Sequence, residues 1–151
     1  MSNNTDQIFS ATEQRDLQAI AGVMIPPSIE YSVPGADDAL IMADITGSIG
    51  RDFAAVRTAL QALAALSSGA FADLDAMRRA SVAEVFLART DAAVATLSRV
   101  VLQCYYRDDR VVRSLGLEPR PPFPKGHVLE QGDWSLLDPV RARPKMWRDA
   151  P

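Results

Sequence analysis

Arg51-Asp-Phe-Ala-Ala-Val-Arg-Thr-Ala-Leu-Gln-Ala-Leu-Ala-Ala-Leu-Ser-Ser-Gly69 is the stretch whose reading decides the fold. Phe53, Val56, Leu60, Leu63 and Leu66 recur at three- and four-residue spacing, which is one face of an α-helix, and alanine fills much of the rest. Ser67-Ser68-Gly69 ends the pattern with residues that suit a helix C-terminus. Strands need a two-residue alternation bounded by turn signals, and no part of the chain sustains one.

Working toward the N-terminus, Ser10-Ala-Thr-Glu13 reads as a capping box, with Phe9 before it as a staple onto a later turn. Leu17, Ile20, Ala21 and Met24 then share a face, and Pro26-Pro27 stops that helix. Ser32-Val-Pro-Gly35 makes a turn, and a second helix is expected from about Ala36 to Ile45, broken by Gly47-Ser-Ile-Gly50. Toward the C-terminus, Phe71, Leu74 and Met77 predict a short helix, followed by Val82, Val85, Phe86 and Leu87. Thr90-Asp91 caps a last long helix with Val94, Leu97, Val101, Leu102 and Tyr105 on its face. The expectation is an all-α protein: a flexible N-terminus at 1–8, a bundle of about five helices at 9–116, and an extended proline-rich arm at 117–151.

The arm is unusual. Leu117–Pro151 holds seven of the ten prolines, both tryptophans and the lone histidine. Proline lacks an N–H and fixes φ, so such a segment does not extend a helix or join a sheet interior. Phe123, Val128, Leu129, Trp134, Leu136, Leu137, Val140, Met146 and Trp147 nevertheless make it too apolar to rest in water. Its reading is an arm that covers another body, with folding back over its own bundle as the alternative.

The composition, 48% hydrophobic and 23% charged, is that of a soluble globular chain, and a net charge of −3 argues against nucleic acid as a partner. Residues 1–106 carry 7 basic and 12 acidic side chains, whereas residues 107–151 carry 9 basic and 7 acidic. One cysteine, Cys104, forms no internal disulfide and favours a reducing compartment. The N-terminal residues show no export signal and no run is long enough to span a bilayer, so the expected location is the cytoplasm.

Little of the chain resembles catalytic machinery. Gly47-x-x-Gly50 is not a phosphate loop, and one histidine with one cysteine does not assemble a metal site. Cys104 and His127 as a nucleophile–base pair stand against a packed cysteine and a surface histidine. Arg107, Arg110, Arg113 and Arg120 read either as anion or carboxylate binders or as solubilising charge, and Asp108-Asp109 as a helix end with local ion pairs. Tyr105 and Tyr106 point to different sides of a helix, one toward the core and one toward an interface. Trp134 and Trp147, near Arg141, Arg143 and Arg148, have the composition of interface hot spots.

Two blocks resemble a known family. The first is Phe9-Ser-Ala-Thr-Glu-Gln14 through Leu17 and Ile20-Ala21 to Met24-Ile-Pro-Pro27 and Pro34-Gly-Ala36. The second is Tyr105-Tyr106, Ser114-Leu-Gly116 and Pro121-Pro-Phe-Pro124. Together they resemble the opening and the close of the gluconate 2-dehydrogenase subunit 3 family. The resemblance implies a small, non-catalytic accessory subunit that binds no cofactor itself and attaches to a large flavoprotein of the glucose–methanol–choline type. That partner holds FAD and oxidises a sugar, glycoside or related alcohol. Many family members begin with a twin-arginine signal, which Met1–Gln7 lacks; a cytoplasmic complex and export carried by the partner both fit. The residues expected at the partner interface are Tyr105, Tyr106, Arg113, Pro121, Pro122, Phe123, Pro124, His127, Trp134 and Trp147. The alternatives are a stand-alone ligand-binding or enzymatic helical domain, lidded by its tail over Tyr105, Arg113 and His127, and a homo-oligomer that exchanges arms.

Overall fold

The computed structural model describes residues 8–120, 126 and 130–146. The protein is all-α: seven α-helices form among these residues, and the only β pairing is one isolated bridge, Ser28 with Val33. The chain divides into two compact units, 1–119 and 120–151.

In the first unit, α1 (Ala11–Met24) starts at the expected capping box. Ser10 N donates to Glu13 Oε2 at 2.7 Å, and Glu13 N donates to Ser10 Oγ at 3.2 Å. Leu17, Ile20 and Ala21 are buried. Phe9 does not staple back onto its own helix, because the position it would meet, Gln14, is polar and instead donates to the Phe9 carbonyl. Its ring packs on Phe53 at a centroid distance of 4.5 Å, with the Arg57 guanidinium 4.6 Å from the Phe53 ring.

Helix α2 runs Ala39–Ser48, later at both ends than expected. Asp38 takes the N-cap, accepting from Leu40 N at 3.0 Å, and this leaves Ala36 free to sit in the core as a turn residue. After a 3-10 turn at Gly50–Asp52, α3 (Phe53–Ser67) buries Phe53, Val56, Ala59, Leu60 and Leu63. Leu66, one turn further, is 37% exposed. The helix closes with Ser68 in the left-handed region at φ 54°, Gly69 N donating to Ala64 O and Ser68 N to Ala65 O, the pattern of a Schellman motif.

The short helix expected around Phe71–Met77 is a 3-10 turn, Phe71–Asp73, followed by a restart. Asp75 caps α4 (Ala76–Leu87) by accepting from Arg78 N, which places Met77 in the exposed first turn. Buried Asp16, on α1, accepts from Ala72 N at 2.8 Å and Arg79 donates to the carbonyls of Ala72 and Leu74, so this turn is held from both sides. Helix α5 (Ala92–Tyr105) is capped by Asp91 and packs chiefly on α3 and α2. Its buried face is Val94, Leu97, Val100, Val101, Cys104 and Tyr105; Leu102 lies off that face and is exposed. Full burial of Phe71, Phe86 and Leu97 contributes roughly 2–3 kcal/mol each. Helix α6 (Asp109–Ser114), capped by Asp108, ends the unit's regular structure.

In the second unit, a 3-10 turn at Trp134–Leu137 leads into α7 (Asp138–Arg141). This part of the arm is therefore helical rather than extended. Pro139 is compatible with it because the first turn of a helix has no use for the missing N–H. No helix among the described residues is long and apolar enough to cross a membrane.

Candidate functional site

One end of the first unit gathers most of its outward-facing aromatic surface, and the local chain shows why. Pro26-Pro27 ends α1, and Ser28 and Val33 then pair through two backbone hydrogen bonds of 3.1 Å, making a tight hairpin. Ser32 turns its corner in the left-handed region at φ 51°, and Tyr31 N donates to Ser28 Oγ. The hairpin returns through Pro34-Gly-Ala36, where Ala36 N donates to Ile25 O at 2.9 Å. Gly35 is required there: a Cβ would lie 3.0 Å from Pro27 Cδ and 3.1 Å from Pro27 N, besides meeting Asp37.

Helix α5 delivers the tyrosine pair to this hairpin. Tyr105 is buried and its hydroxyl donates to Pro34 O at 3.2 Å, across 71 residues of sequence. Burial pushes its phenol up from the usual range, so it is a neutral hydrogen-bond donor with a structural task. Tyr106 follows, 54% exposed, edge-on to Tyr105 with ring centroids 5.3 Å apart. Tyr31, Val33, Tyr105, Tyr106, Val111, Ser114 and Leu115 enclose an open cleft of about 230 Å³. Ile29, Tyr31, Tyr106, Leu115 and Leu117 are all more than half exposed.

Arginine–aspartate pairs fix the frame. Arg110 Nη2 and Nη1 donate to the two oxygens of Asp38 at 2.7 and 3.2 Å, while its Nε and Nη2 donate to Asp108 at 2.9 Å each. One guanidinium thus joins the N-cap of α2 to the N-cap of α6. These bonds hold both carboxyls below the usual carboxylate range, and the carboxylates push the guanidinium up. Arg107 makes a similar bridge to Asp44 and Ser48 on α2, and its bonds hold Asp44 low. Cys104 is buried beneath this bridge, 3.6 Å from Arg107 Nη2, and burial, with Asp44 adding to it, pushes its thiol up. Cys104 is thus packed in the core, while His127, the other half of the candidate pair, lies outside the described residues.

Among the expected interface residues, Tyr105, Tyr106 and Arg113 lie in the first unit. Arg113 pairs with Asp109 on the exposed face of α6, at 3.1 Å. Trp134 lies in the second unit, 57% exposed. Pro121, Pro122, Phe123, Pro124, His127 and Trp147 fall outside the described residues. Tyr31, Val33, Val111, Ser114 and Leu115, which complete the cleft, were not among the expected interface residues; for Tyr31 and Val33 the available signal was an apolar and aromatic run, Ile29, Tyr31 and Val33, held between Pro27 and Pro34. Among the described residues no cluster of three or more histidine, cysteine or carboxylate groups is placed to hold a metal. The arrangement suits recognition of an apolar or aromatic surface, with hydroxyls at Tyr106 and Tyr31 for orientation, the Ser114 hydroxyl donating instead to Val111 O at 2.7 Å. No family model, curated protein or solved structure matches the chain.

Proposed function

We propose that this chain is a small accessory subunit of a heteromeric FAD-dependent oxidoreductase acting on a sugar, glycoside or related alcohol, of the kind represented by the gluconate 2-dehydrogenase subunit 3 family. FAD and the chemistry belong to the large flavoprotein; this chain stabilises and assembles it and moves no proton or hydride. The observation that carries the reading is the meeting of the two blocks on which the resemblance rests. Pro34 from the first block accepts the hydroxyl hydrogen bond of Tyr105 in the second. Tyr105, Tyr106, Ser114 and Leu115 of the second block line the cleft together with Tyr31, Val33 and Val111, and Tyr106 and Leu115 are more than half exposed there. Residues that share one exposed apolar face are what attachment to a second protein requires. The complex forms in the cytoplasm, or is exported with a signal-bearing partner.

Co-expression with a glucose–methanol–choline-type flavoprotein of the same genome tests the reading. The two chains are expected to co-purify at a fixed ratio, and omission of the small chain to leave the flavoprotein insoluble or poor in FAD. A flavoprotein that is soluble, FAD-loaded and fully active alone, with no association, refutes it.

A further inference from the structure

Charge in this chain is divided by region. Residues 1–119 carry 10 basic and 15 acidic side chains, and the excess lies almost wholly in 26–52, with five acidic residues and one basic. Within that stretch Asp38, Asp44 and Asp52 are held by Arg110, Arg107 and Arg99. Glu30 and Asp37 are exposed, and no arginine among the described residues pairs with either. Glu30 stands on the hairpin between Ile29, 98% exposed, and Tyr31, which lines the tyrosine cleft. Asp37 follows the return of the hairpin, its carboxylate against Gly35. The chain thus presents an aromatic, apolar surface with carboxylates beside it. The second unit has the opposite character. Residues 141–148 include four basic and no acidic side chains, and they follow exposed Trp134, Leu136 and Val140.

We infer that two copies of this chain exchange arms: residues 133–146 of each copy pack on the hairpin and tyrosine cleft of the other, with Trp134 in the cleft and Arg141 and Arg143 against Glu30 and Asp37. Charge and apolar complementarity select a second copy as the occupant, because the acid-bordered aromatic surface and the apolar, cationic one both belong to this chain. A twofold arrangement makes the contact twice and leaves neither surface bare on either subunit. Residues 120–132 join the two regions and reach at most about 45 Å when extended, enough to cross between subunits. The arm is a poorer match to an anionic bilayer, since its helical stretch, 134–141, is short for an interfacial helix and contains Asp138. The inference stands apart from the proposed function and concerns this chain alone. Where both hold, the exchanged arm covers the face that the flavoprotein reads, so the free subunit is a dimer and assembly displaces the arm.

The test is sedimentation velocity on the purified full-length chain over a wide range of concentration. The wild type is expected to be a dimer that dissociates on dilution and more readily at high salt. The variants R141E/R143E and E30K/D37K each set like charges opposite one another and are expected to weaken the dimer about tenfold or more. Mixing the two variants restores opposite charges at both contacts, so the mixture is expected to form a heterodimer about as tight as the wild-type dimer. W134A leaves the charges untouched and is expected to weaken self-association about tenfold. Unchanged helical circular dichroism establishes that the variants remain folded. A wild-type chain that is monomeric at every concentration overturns the inference and leaves the accessory-subunit reading intact. A dimer that W134A does not weaken, or that mixing the charge variants does not restore, overturns it as well. So does arm-dependent binding to the flavoprotein, or to vesicles containing phosphatidylserine, without self-association.

Discussion

Replacing Arg110 by alanine removes the group that joins Asp38 to Asp108, and its cost follows from the geometry. Four N–H···O contacts of 2.7–3.2 Å disappear. The Arg110 side chain is 37% exposed, Asp38 26% and Asp108 14%, so solvent screens the pair and the full strength of buried charged hydrogen bonds does not apply. Exposed pairs contribute up to about 1 kcal/mol and charged hydrogen bonds about 1.5–3 kcal/mol. A bidentate, partly shielded bridge with two acceptors falls between, at about 2 kcal/mol. For a unit of this size that is roughly an 8 °C fall in Tm near neutral pH. The pH dependence has a definite sign. Both aspartates are held below their ordinary value of 3.8, so their contribution is fully present above that value. It is lost as pH falls through the folded-state values. The difference between wild type and R110A is therefore expected to be constant from about pH 5 to 8 and to shrink below pH 4. Thermal melts followed by circular dichroism at pH 7 and pH 3 measure it. A loss under about 2 °C at pH 7, or one equally large at pH 3, refutes the reasoning.

The tyrosine pair separates stability from binding. Tyr105→Phe is expected to cost about 1 kcal/mol in urea unfolding through its bond to Pro34, whereas Tyr106→Ala is expected to leave stability within about 0.5 kcal/mol and weaken flavoprotein binding about tenfold. Ser68→Gly is expected to stabilise by about 0.5–1 kcal/mol, since glycine relieves a left-handed residue at the end of α3; an unchanged or lower urea midpoint contradicts this. Gly35→Ala is expected to destabilise by about 1–3 kcal/mol, because the added Cβ meets Pro27, and the loss is read from the same unfolding curve.

The helix types are legible in the sequence because their start signals are local. Ser10 with Glu13, and Asp91, are caps whose partners lie within three residues, and the capping bonds form where expected. Misplaced boundaries have equally local causes. Ala36 looked like the start of α2, but Asp38 supplies the cap and the core claims Ala36. The 3-10 turn at Phe71–Asp73 is less visible, since it is held by Asp16 and Arg79 from other elements. At the candidate site, Tyr105 and Tyr106 are recognisable from their position at a helix end. Tyr31 and Val33 are not, because the hairpin that carries them meets the tyrosine pair only through a bond from Tyr105 to Pro34 spanning 71 residues. Arg110 reads as spare charge until Asp38 is brought beside it.

That span has a consequence for the order of events during synthesis. One wall of the cleft is made by residues 31–33 and the other by residues 105–115, and neither encloses anything alone. The intervening helices must fold and pack before the walls meet, so an incomplete or misfolded chain presents no aromatic face. On the proposed reading the cleft is a checkpoint, since a partner that reads it engages only folded copies of this chain.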